Sequence, residues 1–94
     1  MDLNKIPKKN SKIVARKTGS EYVLVPVRDN IVDMEAVYTL NETGAFIWEQ
    51  INGIRNVEEI IDSITMHYNI DKATATEDVY SFINNMSKYL IVKE

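Results

Sequence analysis

The chain has 94 residues, a net charge of −3 and no cysteine. This length predicts one domain with a single small core, and the absence of cysteine excludes a disulfide framework, thiolate metal sites and a cysteine nucleophile. The longest apolar run, YVLVPV at 22–27, is too short to cross a membrane, and the first residues lack the apolar core of a signal peptide. We therefore expect a cytoplasmic protein with no membrane partner.

The first residues show no hydrophobic periodicity. Residues 1–11 carry lysines, Pro7 and polar side chains, a composition that is typical of a mobile terminus. We predict a flexible N-terminal arm over residues 1–11, followed by a folded domain over residues 12–94.

Three strands are predicted next. Residues 12–18 alternate loosely, Gly19-Ser20 is a turn signal, and residues 22–27 are rich in valine. The segment MEAVYTL at 34–40 alternates again. Short connections favour antiparallel hairpins, and the strand at 34–40 is the last of the series. We therefore expect one of its edges to lack a strand partner.

Three helices follow the strands. Asn41 is the predicted N-cap of the first helix, Asn56 caps the second with Glu59 in a capping box, and either Asp71 or Thr74 opens the third. The predicted apolar stripes are Gly44, Ile47, Trp48 and Ile51, then Val57, Ile60, Ile61, Ile64 and Tyr68, and finally Ala75, Val79, Phe82, Ile83 and Met86. Because the strands precede the helices, the sequence predicts an α+β domain: a three-stranded antiparallel sheet followed by three helices.

Two glycines have predicted roles in the first helix. Gly44 costs roughly 1 kcal/mol relative to alanine in a helix interior, and its place on the buried stripe predicts that another backbone comes close. Gly53 is the predicted C-cap. Residues 90–92, at the other end of the chain, are predicted to form a short returning strand.

Groups that could carry chemistry are sparse. His67 is the only histidine and is expected to lie at or near the surface. Glu58, Glu59 and Asp62 share one helix without an opposed carboxylate, which is typical of a solvated face. There is no phosphate-binding loop, Ser-His-Asp set or metal-ligand pattern. We predict no enzymatic activity, no cofactor and no metal.

Charge and aromatic placement leave alternatives open. Residues 1–28 hold seven basic and two acidic residues (+5), and the remainder holds four basic and twelve acidic residues (−8). The acidic half is either an ordinary solvated face or a surface that attracts a basic partner. Tyr80 and Tyr89 lie off the stripe of the third helix, where they either cover the margin of the core or line a groove.

The second and third helices are joined by a short connection at Asn69-Ile70 and so form a tight helix–turn–helix, which raises DNA binding as a hypothesis. A recognition helix needs basic or amide side chains that face the major groove. The second helix here carries three acids and no lysine or arginine, and the third has its lysines only near its ends. Since phosphate contacts supply most non-specific affinity, these helices oppose binding, and we predict no nucleic-acid partner.

The run from Val37 to Val92 resembles the PqqD family, which is named for a pyrroloquinoline-quinone synthesis protein. The likeness extends over roughly residues 12–93. The motifs that carry it, in order and spacing, are Leu40-Asn41, Gly44-Ala45, Ile47-Trp48, Gly53, Val57-Glu58-Glu59-Ile60, Tyr68, Asp71, Asp78-Val79, Phe82-Ile83 and Leu90-Ile91.

This resemblance implies a winged helix–turn–helix domain that recognises ribosomally made, post-translationally modified peptides. Such a domain binds the leader segment of a precursor peptide and presents it to a modifying enzyme, often a radical S-adenosylmethionine enzyme. The leader adds as a strand to the third strand, in a groove walled by the third helix. The resemblance thereby implies a peptide-binding edge at Met34, Glu35, Ala36, Val37, Tyr38 and Thr39 and a wall at Tyr80, Asn84 and Ser87, with Ile83 at the floor.

A second interpretation stays open. The same strand edge also suits a structural subunit that docks permanently on a partner protein or pairs with a second copy, through the edge or by domain swapping. A DNA-binding winged-helix regulator is the third and least favoured interpretation.

Overall fold

The computed structural model describes residues 3–19, 21–28, 31–32, 37–87 and 89–93. Its elements in chain order are β1 (Ile6–Lys9), β2 (Ile13–Thr18), β3 (Glu21–Arg28), β4 (Ile31–Val32), β5 (Tyr38–Leu40), α1 (Glu42–Gln50), α2 (Val57–Tyr68), α3 (Lys72–Asn85) and β6 (Leu90–Lys93). The predicted α+β class is confirmed, because three antiparallel strands, β2, β3 and β5, precede the three helices.

The central strand of the sheet is β3. It pairs with β2 from Ile13↔Pro26 to Thr18↔Glu21. Its other edge pairs with β5 from Tyr22↔Leu40 to Leu24↔Tyr38, and further along with the short β4. Among the described residues, β5 pairs with β3 alone. Within this part of the chain one edge of β5 is therefore without a strand partner, as predicted.

The third strand is shorter than predicted. The sequence predicts a strand over residues 34–40, but β5 begins at Tyr38, and Val37 precedes it outside regular structure. Met34, Glu35 and Ala36 lie outside the described residues.

The prediction of a mobile arm at residues 1–11 differs from the structure. Residues Ile6–Lys9 form β1, which pairs antiparallel with β6 from Ile6↔Lys93 to Lys9↔Leu90. Pro7 is fully buried, and the Asn10 N–H donates to the Tyr89 carbonyl at 3.1 Å. The predicted returning strand near residues 90–92 is confirmed as β6, and its pairing with β1 is one of the contacts that hold the N-terminal residues in place.

The N-terminal segment also completes the start of α2. The first N–H groups of a helix have no partner within the helix. The Val57 N–H donates to the Lys5 carbonyl at 2.9 Å, and the Glu58 N–H donates to the Leu3 carbonyl at 3.1 Å. The backbone of residues 3–9 is therefore held by β6 on one side and by the start of α2 on the other.

Side chains cap all three helices. The Asn41 side chain accepts from the Gly44 N–H at the start of α1, and Asn56 forms the predicted capping box with Glu59. The start of α3 is settled in favour of Asp71, whose carboxylate accepts from the Thr74 N–H at 2.7 Å.

The two predicted glycine roles are both wrong in detail. An added Cβ at Gly44 would meet the Asn41 Oδ1 at 3.1 Å and the Phe82 ring at 3.4 Å, so side chains, and not a second backbone, come closest there. Gly53 is not the cap of α1. That helix ends with Ile51 as its C-cap, and Gly53 lies two residues further on with φ +78°.

The core lies between the sheet and the three helices. In α2, Val57, Ile60, Ile61 and Ile64 are fully buried, and each aliphatic side chain of this kind contributes about 1.5–3 kcal/mol. The remaining core residues are Leu24, Leu40, Ile47, Trp48, Ile51, Ala75, Val79, Phe82, Ile83, Met86 and Leu90. In the part of the chain that the structure describes, no helix has the length and apolar character that a membrane crossing requires.

Candidate functional site

The outer edge of β5 and the helix α3 enclose a groove of about 380 Å³, which we call the strand–helix groove. It is lined by Tyr38, Thr39, Leu40, Asn41, Thr43, Gly44, Ile47, Asp78, Ser81, Phe82, Asn85 and Met86. The groove therefore runs beside the strand edge that has no strand partner among the described residues.

The groove has an apolar floor and a polar rim. Leu40, Phe82 and Met86 are at least nine-tenths buried and belong to the core. Thr39 and Ser81 are exposed and carry hydroxyl groups that can donate or accept hydrogen bonds. This combination suits a peptide that buries some side chains and leaves its polar groups at the surface.

The end of the groove at the start of α1 is kept open by Gly44. The Asn41 Oδ1 accepts from the Gly44 N–H at 2.7 Å. The same oxygen and the Phe82 ring lie where a Cβ at position 44 would need space. A larger residue at this position would therefore disturb the helix cap and push into the groove.

Two of the six residues predicted on the strand line the groove. Tyr38 and Thr39 do so, with Tyr38 40% exposed. Val37 is half-buried and is not part of the lining. Met34, Glu35 and Ala36 fall outside the described residues, so the structure does not test them.

None of the four residues predicted on the third helix lines the groove. Ile83 is buried in the core, Tyr80 packs against the core, and Asn84 and Ser87 are exposed elsewhere. The groove is instead lined by Asp78, Ser81, Phe82, Asn85 and Met86. The predicted wall residues follow groove residues by two positions, as Tyr80 follows Asp78. Two positions along a helix correspond to a rotation of about 200°, so the predicted wall is on the opposite side of α3.

The alternative for the off-stripe tyrosines is settled by their packing. Tyr80 and Tyr89 are partly buried against the core and do not line the strand–helix groove, so they cover the margin of the core. The Tyr89 ring also lies 6.1 Å from the Tyr38 ring, centroid to centroid. Tyr89 thus packs beside the ring of Tyr38, the first residue of β5.

The groove offers binding groups. An edge strand presents unpaired N–H and C=O groups that another extended chain can meet. The described residues contain no group of three or more His, Asp or Glu side chains placed to hold a metal ion. His67, which is exposed, lies away from the groove with its ring stacked on Phe46 at 4.1 Å.

Comparison with known proteins agrees with this architecture. A solved structure of TbiB1 in complex with the TbiA(beta) leader peptide superimposes with a TM-score of 0.69 and 23% sequence identity, over 86% of this chain and 88% of that chain. At this identity the likeness shows a shared fold. A search of curated proteins finds no match.

The family comparison is more specific. The family model described as Coenzyme PQQ synthesis protein D (PqqD) matches residues 21–92. The matched segment includes β3, β5 and the three helices, and so contains every residue that lines the strand–helix groove. This chain therefore belongs to the PqqD family.

Proposed function

We propose that this chain binds the leader segment of a ribosomally synthesised precursor peptide as a strand added to the outer edge of β5. The observation that carries the proposal is the strand–helix groove, which lies along a strand edge without a strand partner among the described residues. Membership of the PqqD family supports it, as does the shared fold with TbiB1, whose structure holds a leader peptide.

The expected affinity follows from the size of the groove. Three or four added backbone hydrogen bonds contribute about 0.5–1.5 kcal/mol each, and two apolar anchors on the floor add roughly 1.5–3 kcal/mol each. Ordering a flexible leader costs on the order of 2–5 kcal/mol, and lost rigid-body freedom costs more. These gains and costs are of similar size, so we expect weak binding, which permits capture followed by release.

In this proposed function, a second protein carries out the chemical modification of the precursor peptide. In it the chain is a non-catalytic carrier in the cytoplasm that presents the bound leader to a modifying enzyme, of which a radical S-adenosylmethionine enzyme is the class that the family resemblance suggests. The groove supplies backbone groups, hydroxyls and apolar surface, which are groups for holding a peptide.

The alternative role uses the same edge. A strand of a fixed partner, or β5 of a second copy, would occupy the groups that a leader needs. Only one strand can pair with the outer edge of β5 at a time. Leader binding and docking through this edge therefore exclude each other, and an experiment can separate them.

The first test is a titration of isotope-labelled protein followed by amide NMR. The ligands are leader peptides encoded by small open reading frames beside the gene, and duplex DNA is the control. We expect one peptide to shift the amides of residues 37–40 and 78–86, while DNA shifts none. If no peptide moves these amides, the leader proposal fails, and permanent docking becomes the better account of the edge.

A matched pair of variants tests the location. Ser81 and Asn84 are both exposed on α3, but only Ser81 lines the groove. Ser81→Trp should fill the groove and weaken peptide binding at least about tenfold, a loss of about 1.4 kcal/mol. Asn84→Trp should leave the affinity within about twofold. Equal losses in the two variants would show that the peptide binds elsewhere.

A further inference from the structure

A second cavity, of about 390 Å³, lies on the other side of the start of α1. We call it the aromatic pocket. Its walls are the end of β2, the start of β3, the outer side of α1 and the last turn of α2. The side chains that decide its chemistry are Tyr22, Phe46 and Tyr68, together with Glu21, Glu42 and Glu49.

The rings in this pocket form a packed cluster. Phe46 meets Tyr68 edge to face at 5.5 Å and stacks on His67 at 4.1 Å, and His67 meets Tyr68 at 4.6 Å. Tyr22, Phe46 and Tyr68 are half-buried, so part of each side chain faces solvent. Partly exposed aromatic faces attract cations through their ring quadrupoles.

The pocket carries a net negative charge. Three glutamates against Lys17 give −2 with His67 neutral. Within the described part of the chain, none of these three glutamates takes part in a salt bridge.

The phenols in the pocket respond to this charge. Burial raises the pKa of Tyr22, and the charge of Glu49 raises it further. Burial and then the charge of Glu42 raise the pKa of Tyr68, against a smaller opposing effect of a hydrogen bond with Thr43. Glu49 also acts on Lys9, where its charge opposes the burial that lowers the pKa of the ammonium group.

The aromatic pocket adjoins the strand–helix groove. Leu40 and Asn41 line both cavities, so the two meet where β5 passes into α1. A peptide strand on the outer edge of β5 that continues past Leu40 arrives at this boundary. Since an extended residue spans about 3.3 Å, a side chain within roughly four residues of that point can reach the pocket.

We infer that the aromatic pocket is a second subsite for the leader, and that it takes a lysine or arginine side chain located just beyond the segment that pairs with β5. The inference rests on the proposed function, since it assumes that a leader occupies the strand–helix groove. The carboxylates select a cation, and the aromatic faces hold the aliphatic stem and the charged group. Such a leader has a strand-forming segment, and a basic residue flanks this segment at the end that lies beside Leu40.

The test uses the full chain and the peptide that shifts the groove amides. Glu49→Lys is compared with Glu77→Lys, which makes the same charge change at an exposed position on α3 outside both cavities. We expect Glu49→Lys to weaken binding about tenfold more than Glu77→Lys does. Replacing the basic peptide residue by glutamine should also weaken binding to wild type, but it should cause no further loss in Glu49→Lys, because the attraction between this residue and the Glu49 carboxylate is already absent there.

NMR separates the inference from the proposed function. Shifts of Tyr22, Phe46 and Tyr68 that saturate together with the groove amides support the subsite. Groove shifts without pocket shifts, equal losses for the two lysine variants, or a bound leader with no basic residue near its strand segment would each overturn the subsite and leave leader binding intact. Absence of groove shifts with every peptide would overturn both.

Discussion

At the scale of single residues, Gly44 is where the helix cap, the core and the groove meet. Its N–H donates to the Asn41 side chain, and the Phe82 ring lies 3.4 Å from where its Cβ would be. Gly44→Val places a Cβ and two Cγ carbons in this space. We expect a loss of about 1–3 kcal/mol in the free energy of unfolding, the usual cost of overpacking, measured by urea denaturation.

Glu49→Val is the matched control for this change. It puts the same β-branched side chain on α1 at an exposed position. Its cost should stay within about 0.7 kcal/mol, the range of ordinary helix propensities. If both variants lose the same stability, the close contact at position 44 has no energetic role.

The carboxylate of Asp71 makes stability depend on pH. Hydrogen bonds from the Thr74 side chain and backbone hold the pKa of Asp71 below its ordinary value of 3.8. The folded state therefore favours the charged form, and this contribution is present above the unfolded pKa and disappears as the pH falls through the lower folded pKa. Asp71→Asn keeps a good N-cap that does not titrate.

We expect wild type to lose stability faster than Asp71→Asn as the pH falls from about 5 towards 2. The measurement is the urea midpoint of both proteins across this range, in which every other carboxylate is common to the two. Thr74→Val, which removes the hydroxyl donor, should show part of the same effect. Parallel curves for wild type and Asp71→Asn would mean that folding does not lower the pKa of the Asp71 carboxyl.

At the scale of elements, the N-terminal strand has the clearest energetic consequence. Pro7 is fully buried in β1, whereas its neighbour Lys8 is exposed. Pro7→Ala should lower the free energy of unfolding by about 1–2 kcal/mol through lost apolar burial. Lys8→Ala should change it by less than about 0.5 kcal/mol.

Hydrogen exchange gives an independent measure of this strand. The amides of Val57 and Glu58 donate to the carbonyls of Lys5 and Leu3. In wild type we expect both amides to exchange as slowly as their neighbours inside α2, and in Pro7→Ala to exchange faster. Fast exchange of both in wild type would restore the interpretation of residues 1–11 as a mobile arm.

Elements that are defined by local pattern were predictable from sequence. The caps at Asn41 and Asn56 and the buried stripe of α2 follow from the amide side chains and the helical spacing, and the structure has them. The strand β1 was not predictable in this way. Its four residues are too few to show alternation, and its partner β6 lies more than 80 residues away in sequence.

The candidate site shows the same limit. The apolar stripe of α3 was predicted, but either polar flank of that stripe could face β5. One flank carries Asp78, Ser81 and Asn85, and the other carries Tyr80, Asn84 and Ser87. Only the direction in which α3 packs on α1 decides between them. The Phe82 ring lies against Gly44, and this contact reveals the direction in which α3 packs. Gly44 itself was the only feature of the sequence that pointed to this packing.

At the scale of the whole molecule, charge and shape divide the chain into different surfaces. The basic residues before position 29 lie mostly on β1 and β2, while most of the acidic ones lie on or beside the helices. The strand–helix groove and the aromatic pocket both border α1, and the pocket is lined by three glutamates and one lysine. We therefore expect a basic peptide to be attracted towards the helices, and the edge of β5 that has no strand partner among the described residues is also found there.

Leader binding should stabilise the whole fold, because a ligand that binds only the folded state adds RT ln(1 + [L]/Kd) to its stability. At a peptide concentration about 100 times the Kd the gain is roughly 2.7 kcal/mol, which raises the Tm of a domain of this size by about 10–20 °C. Thermal unfolding by circular dichroism should show this rise for wild type and Asn84→Trp. Ser81→Trp should show much less.

The same experiment distinguishes a leader from a second copy on the edge of β5. If two chains pair through this edge, the Tm without peptide rises with protein concentration, since dimerisation is then linked to folding. Added peptide would have to displace the partner strand first, so its stabilising effect would shrink as the protein concentration increases. A Tm that is independent of protein concentration but rises with peptide requires that the edge is empty until the leader binds.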